Sequence, residues 1–534
     1  METNKVRLED TNYFSSLMLD YVNNNEKLKP LYNRFPTKQA YIDQSLDKLK
    51  SYKNRQLLVG ALRKQLFELD LSKKQKKNLD LLAQNNTVTI TTGHQLNLFT
   101  GPIFFFYKIL QIIKQCKELN KNQTEINFVP VFWMATEDHD FEEINHFRYE
   151  DLVIHWDKKH GGPVGQLCTE GLKEVFASFL SILPNGKKKT ELKKLIDESY
   201  LSNKTLTEAT RKLVHLLFKD YGLLMIDGDD KMLKESMIPV FKQELVQNTA
   251  FKEVENQAKK LTDLGYNVQV NPREINLFYM ANSASRERIV YENNRYYVLN
   301  TELVFTEEQI LDELKLSPQK FSPNVIMRPL YQESILPNVA YIGGGGEIAY
   351  WFELKTMFKA YEVDFPLLVL RNSMLIRTKK QHQKQQKLNL SDKDLFTSSR
   401  LIIKNDVLAH SDLIEKLPSL NEKLQAIFTE LEQLATQTDS SFLDMVNAQK
   451  TKQLKGFAKL EHRLVNAEIK KNADLQTRIE QLLKELSQHK GLQERVKNFS
   501  DFEYVDLDAF IESIYKNIQP FEFNFILNTI AEDI

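Results

Sequence analysis

A run of β-branched residues, "NTVTITT" at 86–92, is followed within ten residues by a Gly-Pro pair and then by the apolar stretch "IFFFYKILQII". Thr, Val and Ile at that density favour an extended strand. Pro102 sits where a helix can begin, because the first helical position needs no backbone N–H. A second strand-like run, "NFVPVFWMA", closes the unit and leads into the polar "TEDHDFEEINHF". Strand, polar loop, helix, strand, polar loop is a βαβ unit, which commits this part of the chain to a parallel α/β sheet. Further strand signals occur in "YGLLMIDGDD", in "VIMRPL" ahead of the glycine run "YIGGGGEIAYWFEL", and in "FPLLVLRNS", which ends near Arg371 to Ser373. The pattern predicts one doubly wound sheet whose halves are separated by insertions. One insertion holds a hairpin, "RIVYENNRYYVL", turning at Asn293-Asn294. Residues 1–85 read as mostly helical, polar and connective.

At 534 residues the chain exceeds one ordinary core, so several domains or inserted modules are expected. Lys plus Arg equals Asp plus Glu at 72 each, and this balance gives no global charge to draw the protein to nucleic acid or to a membrane. Cys116 and Cys168 are the only cysteines, too few for a disulfide framework or a cysteine zinc site. "METNKVRLED" has no signal-peptide core. The most apolar stretch is broken by Lys108 and falls short of the ~20 residues that span a bilayer. A soluble, cytoplasmic protein is expected.

From about 385 the periodicity changes. Leu420, Leu424, Ile427, Leu431 and Leu434 mark one narrow apolar seam; Phe457, Leu460, Leu464 and Ala467, then Leu475, Ile479, Leu482 and Leu486, mark its continuation. Such seams with a short polar link predict an antiparallel helical hairpin or coiled coil that braces or dimerises the chain.

Open α/β sheets bind ligands beyond the carboxyl ends of their strands. His94 and Gln95, with Gly93 and Asn97 beside them, follow the first strand. Glu137, Asp138, His139 and Asp140 follow the second, and neighbouring parallel strands would bring the two loops together. His94 can donate to developing phosphate charge, and the helix start at Gly101-Pro102 offers backbone N–H groups to an anion; local backbone bridging by His94 is the plain alternative. His139, Glu143 and His146 would share one helical face and invite a metal. The pattern is not HExxH, however, and dense acids often cap a helix. Direct binding of a substrate amine or sugar hydroxyls is favoured, and no metal is assigned. Gly343 to Gly346 let backbone approach a ligand, although a simple tight turn also fits. No Lys-Ser/Thr follows, so this is no Walker loop. Glu347 would repel a phosphate there, whereas Arg371 and Ser373 would contact a phosphate or carboxylate.

Taken together, "TTGHQLNLFTGP", "VPVFWMATEDHDFEEINHF", "RPLYQESILPNVAYIGGGGEIAYW" and "LQERVKNF" resemble the BshC family, the cysteine ligases of bacillithiol biosynthesis, over essentially the whole chain. One departure is visible: the family loop is nearer GGPGE, with Pro where Gly345 stands. The resemblance implies ligation of L-cysteine to glucosaminyl-malate, giving bacillithiol in the last step of the pathway. It also implies a Rossmann-like core similar to class I aminoacyl-tRNA synthetases, with connecting-peptide insertions and a C-terminal coiled coil that makes a homodimer. The implied arrangement is N-terminal helices and the first half of the core at 1–150, insertions at 151–320, the second half at 321–384, a coiled coil at 385–490, and a segment at 491–534 packing back on the core. "TGHQ" would stand where the synthetases carry their HIGH-type motif, placing His94 near nucleotide phosphates, and Arg495 would contact a nucleotide near the coiled coil. Amide formation from a free carboxylate is uphill, so ATP or another nucleotide is expected to activate it as an adenylate or acyl phosphate. Asp138, Asp140 and Glu347 compete to hold or deprotonate the attacking amine. Nucleotidyl transfer to another small molecule, or a non-catalytic nucleotide-binding scaffold, are the alternative functions.

Overall fold

The βαβ unit forms where the sequence places it. The computed structural model describes residues 3–122, 125–158, 160–486, 491–502 and 506–530. In it β1 is Thr87–His94, α1 is Phe104–Asn122 and β2 is Asn127–Met134. Three strands join them, β3 (Leu224–Asp227), β4 (Asn338–Gly343) and β5 (Leu367–Leu370), with the short helix α2 (Gly345–Trp351) between the last two. Across the sheet the order is β5-β4-β1-β2-β3, and every neighbouring pair is parallel. The chain builds outward from β1 through β2 and β3, then returns to the other side for β4 and β5. This is the expected doubly wound, Rossmann-like sheet, and its switch point lies between β1 and β4.

Burial on both faces explains why β1 reads as a continuous β-branched run. Two of its threonines find partners on the neighbouring strand β4: Thr89 Oγ1 lies 3.3 Å from Asn338 Oδ1, and Thr92 Oγ1 donates to the Ile342 carbonyl at 2.7 Å. Residues 1–85 are helical as expected, but they are not connective. Tyr41, Leu58, Leu62, Leu79 and Leu82 belong to the same buried cluster as Val88 and Ile90 of β1. Polar tips reach the core as well, Tyr21 Oη donating to the Leu368 carbonyl of β5 at 2.6 Å and Lys48 Nζ to the Glu333 carbonyl at 2.8 Å. "VIMRPL" also departs from expectation, since Met327–Ile335 is a helix. Asn324 Oδ1 accepts from the N–H groups of Ile326 and Met327 at 2.9 and 3.1 Å and so starts the turn. Pro329 then falls in the first turn, where its missing N–H costs nothing.

The hairpin at Asn293-Asn294 is present, both residues having positive φ of 51° and 60° as a two-residue hairpin turn requires. It lies in an inserted antiparallel sheet with the strand order Val304–Phe305, Arg295–Val298, Ser285–Glu292, Leu277–Asn282, Phe321–Pro323. Near the termini, Thr3–Arg7 pairs antiparallel with Asn524–Ile530.

Contacts divide the chain into two compact units, residues 1–376 with 492–534, and residues 377–491. The second is helical. Its helices Leu417–Ala435 and Ser440–Lys471 bury Phe428, Ala435 and Val446 between them with Leu424 and Leu431 alongside, and Lys450 Nζ meets Glu432 Oε1 at 2.7 Å. Only residues 436–439 separate the two packed helices, so the chain reverses between them, which is the predicted antiparallel hairpin. Among the described residues, no helix is long and apolar enough to cross a membrane.

Candidate active site at the switch point

Residues at the carboxyl ends of β1, β2 and β4 line a cavity of about 730 Å³, with the inserted antiparallel sheet supplying part of the wall. Gly93, His94 and Gln95 come from β1, Glu137, Asp138 and His139 from the loop after β2, and Glu347 from α2. The two polar loops therefore meet, as parallel neighbours must.

Helix α1 adds a residue that the sequence shows only as a break in an apolar run. Lys108, 2% exposed, sets Nζ 2.6 Å from Glu347 Oε2 and donates to the Gly93 carbonyl at 2.9 Å. Glu347 also accepts from Tyr341 Oη at 2.8 Å and from the Gly344 N–H at 2.9 Å. Burial disfavours its charge, but Lys108 and these donors outweigh burial and bring the carboxyl to about 2. Glu347 is thus an anion already engaged, and too weak a base to take a proton from an ammonium near neutral pH.

His94 behaves in the opposite way. Burial, reinforced by Lys108, lowers its imidazole to about 3, so the ring is neutral. It lies against Phe104 and Phe105, each 5.3 Å away between centroids. Its Nε2 is buried without a hydrogen-bond partner among the described residues, which leaves that atom for a ligand. In an NMR titration the His94 ring is expected not to protonate between about pH 5 and 8; a midpoint near the ordinary 6.5 would refute this. Since the unfolded chain takes up that proton near 6.5 and the folded chain only near 3, the contribution of this ring to stability is intact above 6.5 and declines as pH falls.

Gln95 Nε2 donates to Asp138 Oδ2 at 2.8 Å and to Glu143 Oε2 at 2.7 Å. Asp138 Oδ1 accepts from the N–H groups of His139 and Asp140 at 2.7 and 3.3 Å. Burial alone would raise this carboxyl, but Gln95, Arg286 and the two N–H groups hold it below the usual range. The same turn directs Asp140 outward: it is exposed and does not line the cavity, which corrects its place among the catalytic candidates. His139 Nδ1 accepts from Arg286 at 2.7 Å, and burial together with that guanidinium lowers its pKa. Glu137 is neutralised by the fully buried Lys234, whose Nζ lies 2.5 Å from it and 2.9 Å from Asp229.

Other expectations are revised. Helix α1 begins at Phe104, and the Gly101 N–H is spent on the Leu98 carbonyl at 3.0 Å, so Gly101 offers no anion cradle. Its φ of +63° serves a left-handed turn whose carbonyls at Phe99 and Gly101 accept from Asn498 Nδ2 at 2.8 and 2.6 Å. Asn97 lines a smaller neighbouring cavity of about 300 Å³ with His94, Gln95 and Arg495. Gly344, Arg371, Ser373 and Arg495 border a third, of about 200 Å³. Gly343 borders none of them; a Cβ there would sit 3.0 Å from Glu347 Cβ, so it permits β4 and α2 to pack. The carboxylate that Arg371 and Ser373 meet is internal: Glu494 Oε1 lies 2.6 Å from Arg371 Nη2 and 3.2 Å from Ser373 Oγ. The shared metal face of His139, Glu143 and His146 does not form, because the helix there is only Phe141–Ile144 and His146 opens the strand His146–Tyr149. No cluster of three or more His, Cys, Asp or Glu fit to hold a metal ion occurs among the described residues.

Sequence reasoning missed Lys108, Arg286, Lys234 and Arg328. Of these, Lys108 alone left a local signal, a charge inside an apolar helix; Arg286 and Arg328 come from the insertion and from the helix misread as a strand.

Comparison with known proteins agrees with this architecture. The family model described as "Bacillithiol biosynthesis BshC, N-terminal Rossmann-like domain" matches residues 1–372, and the corresponding C-terminal coiled-coil model matches residues 374–530. A Flavobacterium johnsoniae protein named "Putative cysteine ligase BshC" is 46% identical over 532 residues, 99% of this chain and 100% of that one. A Christiangramia forsetii protein of the same name is 43% identical over 540 residues, covering 100% of both. A solved structure titled a putative arginyl tRNA synthetase from Campylobacter jejuni overlaps 80% of this chain and 100% of that chain at 10% identity, with a TM-score of 0.21 that carries no weight. Two family models spanning nearly the whole chain, and this identity over full length, establish that the chain belongs to the BshC family of bacillithiol biosynthesis.

Proposed function

We propose that this protein is a cytoplasmic ligase that joins L-cysteine to glucosaminyl-malate in the last step of bacillithiol biosynthesis, after ATP or another nucleotide has activated the cysteine carboxyl. The observation that carries this reading is the pairing, in one cavity, of a neutral His94 with an unpartnered Nε2 and an Asp138 held as an anion. Amide formation by an amine nucleophile needs both. Asp138, with one oxygen fixed by backbone N–H groups and the other by Gln95, positions the glucosamine nitrogen through its hydrogens and stabilises the ammonium formed as the C–N bond is made. The acyl C–O bond then breaks, the activating phosphate or nucleotide leaves with its electron pair, and the ammonium proton passes to solvent. His94 supplies a group that pairs with oxygen charge developing on the activated carboxyl or its phosphate, in a site where such interactions are strong. Of the three competing carboxylates, Glu347 is committed to Lys108 and Asp140 is outside the cavity, which leaves Asp138 at the amine.

The helical unit supports a homodimer, since Leu420, Ile427, Leu434 and Leu460 keep 48–62% of their surface exposed along it, more apolar area than a lone hairpin ordinarily leaves bare.

The test is thiol profiling, by mass spectrometry, of source cells lacking the gene. Bacillithiol is expected to vanish and glucosaminyl-malate to accumulate. Wild type should restore the thiol, whereas soluble, folded His94→Ala and Asp138→Asn proteins should restore it at least about tenfold less well. Normal bacillithiol in the absence of the gene would refute the assignment of function. Full rescue by both variants would refute the assignment of the site.

A further inference from the structure

The cavity has a second chemical character that its catalytic end does not use. Pairing Glu347 with Lys108 and Glu137 with Lys234 leaves Asp138 and Glu143 as the unneutralised acids on its lining, against four arginines, Arg273, Arg286, Arg288 and Arg328. Three of these come from one side, the inserted sheet and the loop leading into it. Arg286 and Arg288 are two residues apart on the strand Ser285–Glu292, so they leave the same face. Phe278 is the direct partner of Arg288 across the sheet, and its ring lies 4.0 Å from the Arg286 guanidinium, fixing that fork in place.

Arg286 is 7% exposed, yet its three hydrogen bonds go to Ser322 Oγ, His139 Nδ1 and the Pro323 carbonyl, none of which is a carboxylate. The carboxylates of Glu137, Asp138 and Asp229 act on it only through space, so its fork carries no direct carboxylate bond from the described residues and can take one from a ligand. Arg273 and Arg288 are exposed and have no side-chain hydrogen bond or ion pair among the described residues. A planar fork beside a second and third fork is the arrangement that receives paired carboxylates. Because Arg286 donates to His139, the neighbour of Asp138, this cationic wall begins one residue away from the group that holds the amine.

We infer that Arg273, Arg286 and Arg288 form a dicarboxylate subsite that selects the acceptor by its malyl group. The inference rests on the ligase reading for the identity of that acceptor, but the subsite itself can be probed with L-malate alone.

The experiment is calorimetric titration of the full-length protein with L-malate, with L-lactate and inorganic phosphate as comparison ligands. Arg273→Gln and Arg288→Gln are the main variants, because both residues are exposed and their loss does not threaten folding; buried Arg286→Gln is read only if its unfolding midpoint matches wild type. Wild type is expected to bind malate at least about tenfold more tightly than lactate, and each variant to lose about tenfold of that affinity. In ligation assays the same variants should raise KM for glucosaminyl-malate by a similar factor, with KM for cysteine unchanged. No malate binding by wild type, equal binding by the variants, or phosphate displacing malate at equal concentration would overturn the subsite. If wild type ligates cysteine while the variants keep both malate affinity and KM, the subsite fails and the ligase stands. If malate binding depends on the arginines but wild type makes no bacillithiol, the ligase reading fails and the subsite stands.

Discussion

Lys108→Met is expected to destabilise the protein by about 3–5 kcal/mol at neutral pH and to abolish ligation. The lysine is 2% exposed and 2.6 Å from Glu347, so its removal strands a carboxylate in a site that disfavours charge. The sign with pH is opposite in the two proteins. In wild type Glu347 titrates near 2, below its ordinary 4.5, so its contribution to stability is complete above about 4.5 and is lost as pH falls towards 2. Without Lys108, burial raises the same carboxyl above its ordinary value. The variant then loses stability as pH rises through that range, and its deficit relative to wild type narrows in acid. Denaturant unfolding of both proteins at pH 4 and pH 7 measures this directly. The double variant Lys108→Met/Glu347→Gln should recover most of the stability but not the activity, because the Gly93 carbonyl at the head of the His94 loop still lacks its donor. A deficit below about 1 kcal/mol at pH 7, or one equal at both pH values, would show that the pair is screened as on a surface.

What was legible in the sequence follows from which interactions are local. β1, β2 and their polar exits are contiguous runs, and parallel neighbours bring such exits together, so His94, Gln95 and Asp138 could be placed in one site from spacing alone. Asp140 could not be separated from Asp138, because the distinction is a turn closed by backbone N–H groups on Asp138 Oδ1. Periodicity misread "VIMRPL" because Met327–Ile335 is buried on nearly every side, which removes the alternation that tells helix from strand. Residues 1–85 looked polar since each helix turns one stripe to the sheet and several charged residues to water. The arginine wall was hidden for a different reason. Arg286 and Arg288 sit on the middle strand of the inserted sheet, and only the fold of the insertion over the switch point makes their side of the strand an inner wall. Arg371 and Ser373 read in the sequence as contacts for a ligand phosphate or carboxylate, whereas the carboxylate they meet is the chain's own Glu494. That anion lies 123 residues from Arg371 and 121 from Ser373 in the chain, a distance over which sequence spacing says nothing.

That distant anion gives the second large effect. Glu494→Ala is expected to cost about 3–5 kcal/mol and to release the segment around residues 492–499 from the core. Glu494 is 1% exposed and accepts from Arg371 Nη2 at 2.6 Å, Ser373 Oγ at 3.2 Å and the Met374 N–H at 3.0 Å, so the change strands a buried guanidinium and a backbone donor together. Its neighbours depend on the same docking: Gln493 exchanges two hydrogen bonds with the Ile376 backbone at 2.8 and 2.9 Å, and Asn498 holds the turn at Phe99 and Gly101. Arg371 also lies 4.9 Å from the Phe104 ring, which in turn flanks His94, so loosening this anchor should reach the catalytic end of the cavity as well. Hydrogen exchange separates local release from global unfolding. Amides of 492–499 and of 374–376 should exchange at least about a hundredfold faster in the variant, while those of β1 and β2 change less. Replacing both partners with apolar residues, as in Arg371→Met/Glu494→Leu, should restore most of the protection, since the penalty comes from an unpaired charge rather than from lost attraction. If the single variant leaves exchange in 492–499 unaltered, this segment is held by its apolar residues, Leu492 and Phe499, and the ion pair is incidental to its docking.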